Sequence, residues 1–500
     1  MLPTADAIAD CVLRTFDALP AKHKPRPREN GEREWVPLAG IVISKEPPHL
    51  TDIADVGRGR KDGQGKPLSR CAGLATGMKC LPVDKVAKAS GNVLHDWHAE
   101  VLAIRAFNRF LVDECADLAA KGMRGISDFI KWRGPYETEH LTLQSAIKGE
   151  QTTSTFTERG RSPTSGTDEH EGRRTTDVLS NLAYMDGQQP FEVRDDIRIH
   201  MYISEAPCGD ASMELTMAAQ EDATPWHIPV AGPPHESSNN PLTFRDTFLV
   251  HPPSAPKMLG RGHFDRLGIV RRKPARPDAP STLSKSCSDK LALKQCTSLL
   301  SSLVSLLIHP GNAYLSTLVL PESQYVQSAC ERTFGAQGRL APLTNLEVSS
   351  RWTGTGYAFA PFTVLPTSRE FRYSRRSTAA GEKLVPSNLS SLCTPWRQET
   401  LINGVLQGRK QFDPKGASIV CRRNMWRLVA QVVTATAVAT GTRALEPLDR
   451  TLEKRTYREV KDASDLEGRK RVKIAVQDVL GGWVRNDGDE DWSRDGSDSK

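Results

Sequence analysis

LHDWHAEVLAIRAFNRFLVDECA, residues 94–116, holds the pattern from which the fold is read. Beyond His98 the apolar residues Ile104, Phe107, Leu111 and Cys115 recur at three- and four-residue steps, which predicts a helix with one buried face. His98 and Glu100 open that helix. Upstream, Ile8, Val12, Phe16 and Leu19 predict an amphipathic helix over 5–19, and VPLAGIVIS (36–44) reads as a strand. Downstream, IRIHMYIS (197–204) alternates Ile197, Ile199, Met201 and Ile203 with Arg198, His200, Tyr202 and Ser204, the signature of a half-buried strand. A helix is expected from Asp289 through LALKQCTSLLSSLVSLLI to a stop at Pro310, then strands at 315–320 and 357–365. Helices are expected at 421–440 and at 470–483, where Val472, Val476, Val479 and Trp483 keep helical spacing.

Around these elements the composition is polar. Only 38% of the 500 residues are hydrophobic, and 37 Gly with 33 Pro predict a buried core wrapped by long insertions. Residues 147–177 contain almost no core-forming side chain and read as a disordered insertion. Residues 221–265 read as loop, and 366–412 as a second disordered insertion. The acidic tail 487–500 is expected to be disordered, leaving 1–486 as one large domain. No run of about 18 apolar residues exists, which excludes a membrane-spanning helix. The N-terminus carries acids and no basic region, against a secretory or transit peptide. Ten scattered Cys suit reduced thiols or metal ligands in an intracellular protein, nuclear, cytoplasmic or both. A net charge of +7 permits a polyanionic partner.

Three short segments carry chemistry: His98-Ala99-Glu100, Pro207-Cys208-Gly209-Asp210 and Ser286-Cys287-Ser288-Asp289-Lys290. Singly, each has an ordinary structural explanation. Together they supply one imidazole and two thiols, which leave a tetrahedral zinc one open position, the layout of a catalytic site. Cys287 directly precedes a helix, where the positive dipole end favours a thiolate. Glu100, two residues from a ligand, can reach a metal-bound water without ligating the metal. The zinc deaminase pattern is His-x-Glu followed by Pro-Cys-x-x-Cys. Here no second Cys is near Cys208, and the third ligand must be Cys287, 79 residues later. RLGIVRRKPAR (266–276) is a basic stretch without an acid, ending ten residues before Cys287. Arg271, Arg272 and Lys273 are therefore expected to meet RNA phosphates at the mouth of the site.

The three segments in this order, with ATGMKC (75–80), LHDWHAE (94–100) and DVLGGWVRN (478–486), resemble the adenosine deaminase domain. It is shared by the adenosine deaminases acting on RNA and the eukaryotic tRNA-specific adenosine deaminases of alanine tRNA. The resemblance runs over nearly the whole chain, and GIVRRKPARPDAPSTLSKSCSDK (268–290) is similar to the tRNA group. It implies an α/β fold with a cytidine-deaminase-like core, a mixed sheet flanked by helices, and a helical C-terminal extension. It also implies hydrolytic deamination of adenosine to inosine by a monomer, with zinc on His98, Cys208 and Cys287 and Glu100 as proton shuttle. The expected substrate is the adenosine 3′ of the anticodon, position 37, of alanine tRNA. Editing of structured mRNA and a catalytically silent RNA-binding zinc protein are the alternatives. The first is disfavoured because only about 35 residues precede the first strand, too few for an appended RNA-binding domain. The family buries an inositol hexakisphosphate, and Arg105, Lys290, Ser302, Arg422, Tyr457, Lys461 and Trp483 match its contact positions. Asp96 and Lys290 would relay between it and the metal. Met78, Leu293 and Ile104 depart from the family pattern.

Overall fold

A computed structural model describes residues 2–46, 69–133, 189–220, 258–260, 262, 265–273, 279–345, 350–377, 383–441, 443 and 445–496. The expected insertion 147–177 and nearly all of the 221–265 loop lie outside these residues. In chain order the main elements are α1 (Ala5–Asp17), β1 (Leu38–Lys45), β2 (Ser69–Thr76), α2 (Ala99–Ala120), β3 (Ile197–Ile203), α3 (Met213–Ala218) and α4 (Cys287–Thr297). They continue with β4 (Leu315–Pro321), α5 (Gln327–Phe334), β5 (Thr363–Thr367), β6 (Ser390–Cys393), β7 (Gln398–Ile402) and β8 (Val405–Leu406). Helices α6 (Arg422–Thr440), α7 (Glu446–Leu452), α8 (Tyr457–Lys461) and α9 (Glu467–Leu480) close the chain.

The eight strands form one mixed sheet in the order β5-β4-β3-β1-β2-β6-β7-β8. β4 runs parallel to both β5 and β3; the other neighbours are antiparallel. Helices cover both faces. On one, Ile8, Val12 and Phe16 of α1 pack with Leu38, Val42, Leu74 and Tyr202. On the other, Ala103, Phe107 and Phe110 of α2 pack with Ile41, Ile43, Met201 and Ile203. Glycine sets the approach of each helix. A Cβ on Gly40 would meet Val12 at 2.5 Å, and one on Gly73 would meet the Phe107 backbone nitrogen at 2.7 Å.

Burial on both faces corrects the half-buried reading of β3. His200, expected outward, is 1% exposed and shares a 2.9 Å hydrogen bond with Ser44 Oγ. The long helix expected from Asp289 to Pro310 ends at Thr297, where Ser298 takes φ +53°. The carbonyls beyond it are capped by side chains instead of by further helical turns. Lys294 Nζ donates to the carbonyls of Leu299 and Leu300, Arg469 to those of Thr297 and Leu300, and Asn108 Nδ2 to that of Leu299. The strand expected at 357–365 begins at Thr363.

Of the stretch 366–412, expected to be a disordered insertion, the described residues 366–377 and 383–412 are ordered. They supply β6, β7 and β8, with Asn403 (φ +54°) and Gly404 (φ +78°) turning the β7–β8 hairpin. Both residues at positive φ make the tight turn that suits the right-handed twist of paired strands. Leu384–Pro386 pairs in parallel with Arg33–Trp35. The tail is also ordered as far as 496. Trp492 stacks on Tyr457 at 4.7 Å and lies where a Cβ on Gly91 would stand. Asp489 is buried, accepting from Gly91 N at 2.9 Å, His95 Nε2 at 2.7 Å and Arg422.

Candidate active site

β2 ends at Thr76, and the following segment runs back along the chain leading to α2. Trp97 N donates to the Lys79 carbonyl and Ala99 N to that of Gly77. This pairing delivers His98 as the N-cap of α2 and Glu100 into its first turn, 7% exposed. Asp96 Oδ1 accepts from His98 N at 2.9 Å.

Past β3, the chain turns at Gly209, whose φ of +103° would set any Cβ 2.2 Å from Ser286 Oγ. That close approach joins the two thiol segments. Ser288 Oγ donates to the Pro207 carbonyl at 3.0 Å, and Ser288 N donates to the Cys208 carbonyl. Ser286 caps α4, accepting from Asp289 N, so Cys287 is the first helical residue. Its backbone N–H donates to Cys208 Sγ at 3.3 Å. One ligand atom each from His98, Cys208 and Cys287 lies within 4.8 Å of the others. Around a tetrahedral zinc with bonds of about 2.0–2.3 Å, ligand atoms stand roughly 3.5–3.8 Å apart, so small side-chain shifts would close the set. Cys80, Asp96 and His98 also cluster, but the Asp96 oxygens are already engaged by four donors.

Electrostatics favour an anionic sulfur. The hydrogen bond from Cys287, with Lys273 and His98 nearby, holds the Cys208 thiol well below its usual range despite burial. Burial, and then the Cys208 charge, push the Glu100 carboxyl up. Lys273 Nζ lies 2.8 Å from Asp96 Oδ2 and 3.2 Å from Cys287 Sγ, and is 4% exposed. Burial opposes its charge, but Asp96 and the two thiols outweigh that and hold it protonated. Asp96 Oδ2 also accepts from Ser284 Oγ at 2.5 Å and from Lys290 Nζ. The expected Asp96–Lys290 contact is therefore present.

These facts correct the basic-loop reading. Arg271 is 0% exposed and donates to the carbonyls of Gly260, Gly262 and Arg266. Lys273 is internal, beside the thiol. Both line a cavity of about 1350 Å³, but with their charged ends already engaged; Arg272, between them, lines it too. His98, Glu100, Cys208, Met78 and Trp35 also line it. Two supports went unread in the sequence. Arg332 and Thr333 hold the buried Asp210 beside Cys208, and Arg339 donates to Asp289 at 2.6 Å behind Cys287.

A second charged region adjoins the first. Arg105 and Arg422 repel each other, Arg422 lies 5.9 Å over the Tyr457 ring, and the buried Arg105 Nε finds no partner. Burial, with Arg469, Arg105 and Lys473 nearby, holds Lys294 well below the usual lysine range. Lys473 is pulled down to about 8 by its surroundings and then by Lys461 and Arg469. Lys285 lies 5.2 Å over the Trp483 ring. Lys461 is paired with Glu490. Ser302 stands two residues past Leu300, whose carbonyl takes both Lys294 and Arg469. Lys294, Arg469 and Lys473 were missed because they are spread across two helices and join only in three dimensions.

Residues 73–148 and 173–487 match the adenosine-deaminase (editase) domain model. The chain is 33% identical over 429 residues to tRNA-specific adenosine deaminase 1 of Schizosaccharomyces pombe, covering 85% of this chain and 84% of that protein. To the protein of the same name from Saccharomyces cerevisiae it is 26% identical over 303 residues, 60% of this chain and 54% of that one. To that from Homo sapiens it is 34% identical over 112 residues, 22% and 20% respectively. The chain belongs to the adenosine-deaminase (editase) domain family and is a deaminase. Among the described residues, no helix is long and apolar enough to cross a membrane.

Proposed function

We propose that the protein is a monomeric, zinc-dependent enzyme that hydrolytically deaminates adenosine to inosine in tRNA, at position 37, 3′ of the anticodon, of alanine tRNA. One observation carries this reading. An imidazole and two thiols converge within 4.8 Å, with His98, Cys208 and the buried Glu100 in the wall of a large cavity and Cys287 buried behind it. A cytidine-deaminase-like core accounts for the sheet and for the two helix N-termini that carry His98 and Cys287. The relatives' names support a tRNA substrate.

Zinc held by His98, Cys208 and Cys287 would supply a Lewis acid that brings the pKa of a water to about 7. The remaining work falls to the chain. Glu100 accepts a proton as the water oxygen bonds to C6 of adenine, and delivers it to N1. It then takes the remaining proton from the C6 hydroxyl and delivers it to the amine, so that the C6 carbonyl forms as the C6–N bond breaks and ammonia leaves. Burial, and then the Cys208 charge, raise its carboxyl, the direction that suits an acid–base role.

Inositol hexakisphosphate is the second bound group we infer, held by Arg105, Lys290, Ser302, Arg422, Tyr457, Lys461 and Trp483, with Lys294, Arg469 and Lys473 added. The residues fit it. Several cations crowd together with too few carboxylates, and the buried Arg105 Nε lacks a partner. Clustered phosphates would offset the cost of burying them.

The test is inosine formation in alanine tRNA by purified protein, with other tRNAs and duplex RNA in parallel. Glu100→Ala should keep zinc and lose at least about 10²–10⁴-fold in rate. Cys208→Ala and Cys287→Ala should lose the metal. Full zinc content in both Cys variants would overturn the ligand set, and inosine only in duplex RNA would overturn the substrate.

A further inference from the structure

We propose that Arg272 binds a backbone phosphate of the substrate strand, beside the nucleotide whose base enters the cavity. The proposal rests on the RNA deaminase reading and deepens it. Arg271, Arg272 and Lys273 all line the cavity. Carbonyls, Asp96 and Cys287 already engage the charged ends of Arg271 and Lys273.

The neighbours of Arg272 in the cavity wall are already matched. Arg376 donates to Glu205 at 2.6 Å, to the Ser204 carbonyl and to Glu370. Lys79 is hydrogen-bonded to Asn388. Among the described residues the Arg272 side chain has neither hydrogen bond nor ion pair, and its Nε is out of solvent with no acceptor. A guanidinium does not shed its proton to relieve such a position. What the site lacks is an anion with acceptor oxygens in a plane. Arg and phosphate meet in that way through two parallel hydrogen bonds. An RNA strand that places a base near His98 and Glu100 carries such groups on either side of its sugar. Arg272 is thus a positioning residue: it fixes the strand and leaves the proton transfers to Glu100.

The experiment uses the full-length, zinc-loaded protein with Arg272→Gln and Arg272→Lys. Zinc content, melting temperature, steady-state kinetics and tRNA affinity across a KCl series are measured. Arg272→Gln should raise KM about tenfold or more, with kcat within about threefold and zinc unchanged. The slope of log affinity against log salt should fall by about 0.7–0.9, one phosphate contact. Arg272→Lys should keep the slope but recover only part of the affinity, because lysine cannot make the paired contact.

Neutral methylphosphonate linkages, placed one at a time beside the target adenosine, test the same contact from the RNA side with unaltered protein. One of them should weaken binding about as much as Arg272→Gln does, and the two losses should not add. Unchanged KM and slope in Arg272→Gln would overturn the proposal. So would a loss confined to kcat and melting temperature, or the lack of any sensitive linkage. If wild-type protein forms no inosine in any RNA, the deaminase reading fails instead, whatever the salt series shows.

Discussion

Replacing Lys273 with Met would separate two roles that the sequence assigns to one residue. Lys273 bridges Asp96 and Cys287 with its ammonium 4% exposed, so methionine keeps the volume and removes the charge. Removing one partner of a buried ion pair costs about 3–5 kcal/mol. Asp96 would keep Lys290 and Ser284, which places the loss near about 3 kcal/mol. Cys287 would lose the cation that favours its thiolate, and second-sphere losses of this kind weaken metal binding about 10–100-fold. Zinc competition against a chelator and the urea midpoint measure the two effects. The salt slope of tRNA binding should not move, because Asp96 and Cys287 already engage the Lys273 ammonium. A slope reduced by about one, with zinc affinity within threefold of wild type, would refute this reasoning and return Lys273 to the phosphates.

Two further outcomes concern the C-terminal half. Burial and then Arg422 pull His95 down to about 4, outweighing Asp489, so it is neutral in the fold while the unfolded chain takes a proton near 6.5. Stability should be fully present above pH 6.5 and fall by up to about 3 kcal/mol as pH drops through 4; urea midpoints that stay flat in His95→Gln would support the assignment, and an equal slope in that variant would refute it. Lys473, pulled down to about 8, and Lys294, lowered further, make the opposite region informative. Between pH 8 and the ordinary lysine range the unfolded chain binds more protons, so protein stripped of polyanion should gain stability as pH rises. Added inositol hexakisphosphate should flatten that rise, and melting curves with identical pH slopes in both states would argue against a polyanion there.

Local periodicity made the central layer legible. α1, β1, α2, β3 and β4 were all readable from apolar spacing, because each buries a face whose residues are close in sequence. The His98, Cys208 and Cys287 set was legible through motif order alone; the geometry that joins it, Gly209 against Ser286, links residues 77 apart. What composition hid was order imposed by distant partners. LINGVL (401–406) carries an Asn-Gly hairpin signal, yet it sits in a Pro-, Ser- and Arg-rich stretch that reads as loop until β2 is available to pair with β6. DGDEDW (487–492) reads as a solvated acidic tail, but its carboxylates answer His95, Arg422, Arg458 and Lys461. The stretch VRRK (270–273) misled for a simpler reason. Three cations in a row look like one free surface, whereas internal carbonyls, Asp96 and Cys287 engage Arg271 and Lys273.

The charges around the thiols explain why Lys273 and Asp96 are buried at all. Two thiolates side by side in a dry interior repel one another, and the structure eases this through Cys287, whose hydrogen bond favours the Cys208 anion. A divalent ion on the three ligand atoms would cancel both thiolates. Asp96 then balances Lys273, and the partly exposed Lys290 is left to balance an ionised Glu100. The local sum reaches zero with Glu100 charged and rises by one when it takes a proton. Burial and the Cys208 charge push that carboxyl up, while the positive surplus left by protonation acts in the opposite direction. A carboxyl poised in this way can accept a proton and release it again, as a shuttle between water, N1 and the leaving amine requires. Lys290 reaches both this balance and the second cationic region through Asp96, Ser284 and its neighbour Lys285.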